Sequence, residues 1–167
     1  MLILHLSDLH FGNKNRFSHD APGELSQAFY RSVQDAIRDI GSHSEIVLVV
    51  ISGDLAETGL PSEFKYAREF LTTLAAQLQL RPERFVILPG NHDIAWPECQ
   101  IVRSGLEGEK FPATELDDRL NAAKLSNYRA FLGDLYGGDV TDISRAGLPD
   151  CFPLGRGGWL RNFPDLK

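Results

Sequence analysis

The segment that most restricts the fold is Ile46–Ile51, six consecutive aliphatic residues (IVLVVI) set between Ser44-Glu45 and Ser52-Gly53. A strand with one wetted face alternates apolar and polar side chains, so an unbroken run of this length predicts a strand buried on both faces, the pattern of a parallel sheet. Parallel neighbours need crossover connections, usually helices. The flanking sequence supplies them. Leu25, Phe29, Val33, Ile37 and Ile40 recur at helical spacing before the run, and Phe64, Ala67, Leu71, Leu74 and Leu78 after it, with Ser62 as the expected N-cap. Met1–Leu6 and Phe85–Leu88 carry two further strand patterns. The predicted order is β-α-β-α-β, an α/β unit with right-handed crossovers, in which ligands gather outside the carboxyl ends of the strands.

A polar cluster stands at each of those ends. Asp8-Leu9-His10 follows the first strand, and on an extended chain residues two apart point the same way, so the Asp8 carboxylate and His10 imidazole can reach one ion. Gly53-Asp54 follows the second. The glycine allows a sharp turn, and a carboxylate has two oxygens that can bridge two cations. Gly90-Asn91-His92-Asp93 follows the third, combining an amide oxygen, an imidazole and a carboxylate on one turn. Asp-X-His or Gly-Asp alone marks many ordinary turns, but three clusters after three parallel strands bring Asp8, His10, Asp54, Asn91 and His92 to one rim. Mixed oxygen and nitrogen donors suit manganese, iron or zinc better than calcium or magnesium. Two such ions ~3.5–4 Å apart can generate a hydroxide at neutral pH and clamp both oxygens of an in-line displacement.

The ordered set Asp8-X-His10, Gly53-Asp54, Gly90-Asn91-His92-Asp93 resembles the calcineurin-like metallophosphoesterase superfamily over roughly residues 2–94. Ser52–Gly59 is more similar to its cyclic-nucleotide phosphodiesterase and exonuclease-like branches than to the phosphoprotein phosphatases. The resemblance implies that Asp8 and His10 hold a first divalent metal, Asp54 bridges to a second, and Asn91 binds that second ion. It implies His92 as general acid, oriented by Asp93, with manganese the first choice of metal. The β-α-β-α-β unit would then be half of a four-layer αββα sandwich. The family pattern continues with a lone histidine and a Gly-His-X-His block. Here the five histidines are His5, His10, His19, His43 and His92, so none follows His92. Residues 1–167 are therefore expected to be the N-terminal part of one catalytic domain that continues beyond the chain end, with 137–167 a loop-rich tail containing Gly137, Gly138, Pro149, Gly157 and Pro164. Glu57 stands where many members have Asp. The implied activity is hydrolysis of a phosphoester, a nucleotide or nucleic acid among the candidates, by a hydroxide activated at a dinuclear centre. The alternative is a noncatalytic sensor or scaffold keeping part of the site.

A formal net charge of −6 disfavours a protein that grips nucleic acid by bulk positive charge, so phosphate binding must be local. No run approaches the ~18 apolar residues of a membrane span. Cys99 and Cys151 form no ligand-like pattern and read as free thiols, which points to a cytoplasmic address. Between residues 116 and 135, Leu116, Leu120, Ala123, Phe131 and Leu135 predict one more helix, interrupted in its stripe by Asn127. His5 is expected as a satisfied core or half-buried residue in its strand, His19 and His43 at the surface, Trp96 packed, and Arg145, Arg156 and Arg161 solvated.

Overall fold

The computed structural model describes residues 1–12, 22–105, 113–137, 151–153 and 159–161. Strands β1 (Leu2–Leu6), β2 (Ile46–Ile51) and β3 (Phe85–Ile87) form a parallel sheet in the order β1-β2-β3. Helices α1 (Pro22–Asp39) and α2 (Pro61–Leu78) make the two crossovers. Both crossovers step in the same direction across the sheet, and with a fixed right hand that puts both helices on the same face. There Leu6, Val49, Ile51 and Phe85 join Phe64, Phe70, Leu71 and Leu74 in one core.

The other face of β2 is also covered, though less completely. Register places Ile3, Leu48, Val50 and Val86 together. Leu48 is buried and Val50 and Val86 are half-buried, but none belongs to the core cluster under the helices, and Ile3 stays 56% exposed. On that face His5 is exposed rather than half-buried, and its Nε2 lies 2.8 Å from Ser52 Oγ. The sheet is thus apolar on both sides, yet among the described residues its helices cover one.

Several local expectations shift. Helix α2 starts at Pro61 with Leu60 as N-cap, because Glu63, not Ser62, satisfies the first turn. The Glu63 carboxylate reaches back to accept from Leu60 N (3.1 Å), Thr58 N (2.9 Å) and Thr58 Oγ1 (2.8 Å). Helix α1 ends before Ile40, which is 70% exposed. A helix α3 (Trp96–Gly105) follows the third polar turn. The single helix expected over 116–135 is two, α4 (Ala113–Lys124) and α5 (Ser126–Tyr136), broken at Leu125. Asn127 interrupts the apolar stripe because its amide works elsewhere, donating to Gly59 O (2.9 Å) and Glu98 Oε1 (3.0 Å). The tail, expected as loop, contains β4 (Cys151–Pro153) paired antiparallel with β5 (Trp159–Arg161). The expectations for His19, Arg145 and Arg156 lie outside the described residues, as does the rest of 138–167. Cys99 is a buried free thiol, and no described helix is long and apolar enough to cross a membrane.

Helix α5 closes the outer side of β3. Tyr136 donates its hydroxyl to Phe85 O and Tyr128 to Ile87 O, both at 2.8 Å. Tyr128 is wholly buried, and burial drives its phenol well above the ordinary tyrosine range. Tyr128→Phe should leave the buried Ile87 carbonyl without that donor and destabilise the fold by about 1–3 kcal/mol, read as a lower midpoint in urea unfolding.

Candidate metal centre

Past their last strand residues, β1 and β2 stay zipped by backbone hydrogen bonds: Asp8 N to Gly53 O, His10 N to Asp54 O, Phe11 N to Leu55 O and Glu57 N to Phe11 O, at 2.8–3.2 Å. Phe11 then enters the core against Phe70, anchoring the segment. Within this zipper Asp8 (φ 56°), His10 (φ 45°) and Asp54 (φ 53°) all take left-handed backbone. Such backbone costs a residue with a Cβ roughly 1–2 kcal/mol, and it clusters at functional sites. The expectation of an extended Asp8–His10 chain is therefore corrected. The two side chains converge through turned backbone, with His10 Nε2 3.8 Å from Asp8 Oδ1. Ser7 Oγ donates to the other Asp8 oxygen.

The third turn is fastened to the second by Asp93. Fully buried, its carboxylate accepts from Leu55 N (3.2 Å), Ala56 N (2.7 Å) and Gly90 N (2.8 Å). Burial pushes this carboxyl above its ordinary range and the nearby Asp54 charge adds to the rise, while the three N–H groups oppose it. Asp54 in turn accepts from His92 N at 3.0 Å through Oδ1. Gly90 is required by this approach, since a Cβ there would overlap the Asp54 carboxylate and lie 2.5 Å from Asp54 N.

The ring of His92 is not held by Asp93. Its Nδ1 lies 2.7 Å from the Glu57 carbonyl oxygen, an acceptor only, so Nδ1 carries the proton and Nε2 is left for exchange or ligation. Glu57 thus acts through its backbone, whatever its side chain, and the Glu63 cap on Thr58 steadies that loop. One ligating atom each from His10, Asp54 and His92 lie within 4.8 Å of one another, and the His10 and His92 rings meet edge to face at 4.6 Å. Asp8 joins through His10; Asn91 sits on the same turn with its side chain in solvent. Trp96, expected to pack, is 54% exposed at the start of α3. The Glu57 carbonyl and the Asn127 clamp went unread in the sequence. The signal available was Glu63, three residues after the N-cap.

The sequence model of the calcineurin-like phosphoesterases matches residues 1–160. The chain belongs to this family. It is 33% identical over 93 residues to the SbcD component of the SbcCD nuclease of Escherichia coli K12, covering 56% of this chain and 21% of that protein. It is 32% identical over 94 residues to glycerophosphodiester phosphodiesterase GpdQ of Enterobacter lignolyticus SCF1, covering 56% of this chain and 30% of that protein. The chain thus matches a minor part of either relative's length.

Calcineurin-like phosphoesterases use divalent metal ions, and the donors here fit such ions. Two imidazoles and a carboxylate within a few ångströms suit a transition ion, and without one they would only crowd polar groups together. Two predictions test the scaffold. Asp93→Asn leaves one carbonyl oxygen for three N–H groups and turns an NH2 toward another, so unfolding stability should fall by about 1–3 kcal/mol or more by guanidinium titration. Gly90→Ala should displace Asp54 and lower metal affinity by at least the ~10–100-fold typical of lost supporting contacts, read by calorimetric titration with Mn²⁺.

Proposed function

We propose that this chain forms the front part of a metal-dependent phosphodiesterase centre. The observation that carries the reading is the convergence of His10, Asp54 and His92 from three separate loops, with Asp8 against His10. Asp8, His10, Asp54 and Asn91 would hold two divalent ions, manganese first. When bound, these supply an activated hydroxide at neutral pH and charge neutralisation at phosphorus. His92, its Nδ1 proton held by the Glu57 carbonyl, presents Nε2 to the site; with a second proton taken from solvent on Nε2, it would give that proton to the departing oxygen and return to the neutral imidazole. Asp93 positions the turn by its backbone contacts. The names of the two relatives, a nuclease and a glycerophosphodiester phosphodiesterase, support a diester substrate.

No histidine follows His92 in these 167 residues, so the rest of the metal ligands would come from further chain, with this segment the N-terminal part of the domain. The same lack favours, as second reading, a noncatalytic module. The test uses the full-length protein. His92→Ala should lower turnover of an alkyl diester ~10²–10⁴-fold, with much less loss on a nitrophenyl diester that needs no proton, and with metal content by mass spectrometry nearly unchanged. Equal losses on both diesters would remove the acid role. Absence of hydrolysis in the metal-loaded wild type would favour the module.

A further inference from the structure

Glu63 and His92 meet the two ends of one peptide group. The oxygen that takes the His92 Nδ1 proton at 2.7 Å is the Glu57 carbonyl. The N–H that Glu63 Oε2 accepts at 2.9 Å is that of Thr58, the other half of the same amide. No described peptide bond is cis, and in a trans amide the N–H and C=O point opposite ways. The order is thus carboxylate, amide N–H, amide C=O, ring N–H. Glu63 is 6% exposed, and its oxygens also accept from Leu60 N at 3.1 Å and Thr58 Oγ1 at 2.8 Å. The peptide has little room to turn. Glu57 N donates to Phe11 O, a Cβ on Gly12 would come within 2.5 Å of Glu57 Cβ and 3.1 Å of Glu63 Oε1, and one on Gly59 within 2.6 Å of Ile94 O.

Resting on the reading of His92 as general acid, we propose that Glu63 is a positioning residue for its ring, acting through the Glu57–Thr58 peptide. Where a carboxylate touches an imidazole directly, it fixes the tautomer and the orientation of the ring. Asp93, the carboxylate next to His92 in sequence, is turned to three backbone N–H groups instead. Glu63 takes the vacant role at one remove. Its negative charge draws on the Thr58 N–H, the amide polarises, and the Glu57 oxygen becomes a stronger acceptor for Nδ1–H. Bonds chained in this way strengthen one another by roughly 10–30% each. No proton crosses the amide: Thr58 keeps its N–H, His92 keeps Nδ1–H, and Nε2 stays the atom presented to the reacting oxygen. A helix cap alone would account for the bond to Leu60 N, and glutamine fills that place in a capping box as well as glutamate does. The relay, by contrast, needs the charge.

Glu63→Gln separates the charge from the cap. The glutamine oxygen can keep both backbone N–H bonds, and its NH2 can donate to Thr58 Oγ1 once that hydroxyl rotates, so the cap persists while the charge is gone. Metal-free full-length protein, 15N-labelled at histidine, is read by NMR at about pH 8.5, where an ordinary imidazole is neutral and its ring nitrogen shifts report the tautomer. Wild-type His92 should show the Nδ1–H tautomer. In Glu63→Gln the Nε2–H tautomer should appear beside it, with the melting temperature establishing that the variant folds. With metal bound, kcat on an alkyl diester should fall roughly 2–10-fold, the worth of ~10–30% on one hydrogen bond, while KM holds and a nitrophenyl diester loses much less. A wild-type ring in the Nε2–H tautomer would overturn the proposal without need of any variant. So would a tautomer balance identical in wild type and Glu63→Gln, whatever the kinetics. A balance that shifts, with equal kcat losses on the two diesters, would sustain the relay while removing the acid reading of His92.

Discussion

The arrangement depends first on the Asp93 carboxylate. Two of its three backbone donors, Leu55 and Ala56, lie on the loop after β2, and the third, Gly90, on its own turn after β3. Two loops that share no strand residues are thereby locked edge to edge in a site where water does not compete. An unpaired charge at that depth would be costly, but three oriented N–H groups replace its solvation. The two side chains called on for chemistry, Asp54 and His92, stand on either side of this lock. Their mutual placement is set by a residue whose own oxygens face backbone.

Around that lock the structure concentrates backbone strain. Asp8, His10 and Asp54 are three of the four non-glycine residues with left-handed backbone among the described residues; the fourth, Gln79, is an ordinary helix C-cap. Isolated loops would relax such conformations. Here the β1–β2 zipper, the Phe11 anchor and the clamps from Asn127 and Glu63 over-determine them. The core stabilises the strained rim, and the side chains of His10, Asp54 and His92 are held together on it.

Much of this was legible in the sequence because it rests on short-range patterns. Period-3.6 and unbroken aliphatic runs located β1, α1, β2, α2 and β3 to within three residues at either end, and the polar residues just past each strand located Asp8, His10, Asp54 and the turn carrying His92. What escaped reading depends on backbone or on distant partners. Nothing in the letter E at position 57 tells that its carbonyl will face His92. Nothing in Asn127 alone tells that it spans to Gly59, although its misfit in an apolar stripe was a sign of employment elsewhere. The dipeptide logic that made Asp8 and His10 neighbours was right in outcome and wrong in conformation, since turned backbone, not an extended strand, brings them together. The division at Leu125 was hidden because the apolar spacing continues across it.

The tyrosine pair on α5 has a consequence for how the sheet can be enlarged. Strand β3 ends the row, and its outward-facing acceptors at Phe85 and Ile87 are already occupied by phenol hydroxyls, while Phe85 N donates to Pro82 O. An incoming strand on that flank would find its docking positions taken and would have to expel a helix packed into the core. The flank beyond β1 carries no such seal among the described residues. Growth of the sheet is therefore directional: additional strands, whether from the same polypeptide or another, are steered to the β1 side, and the Gly90–Asp93 turn after β3 stays at the sheltered end.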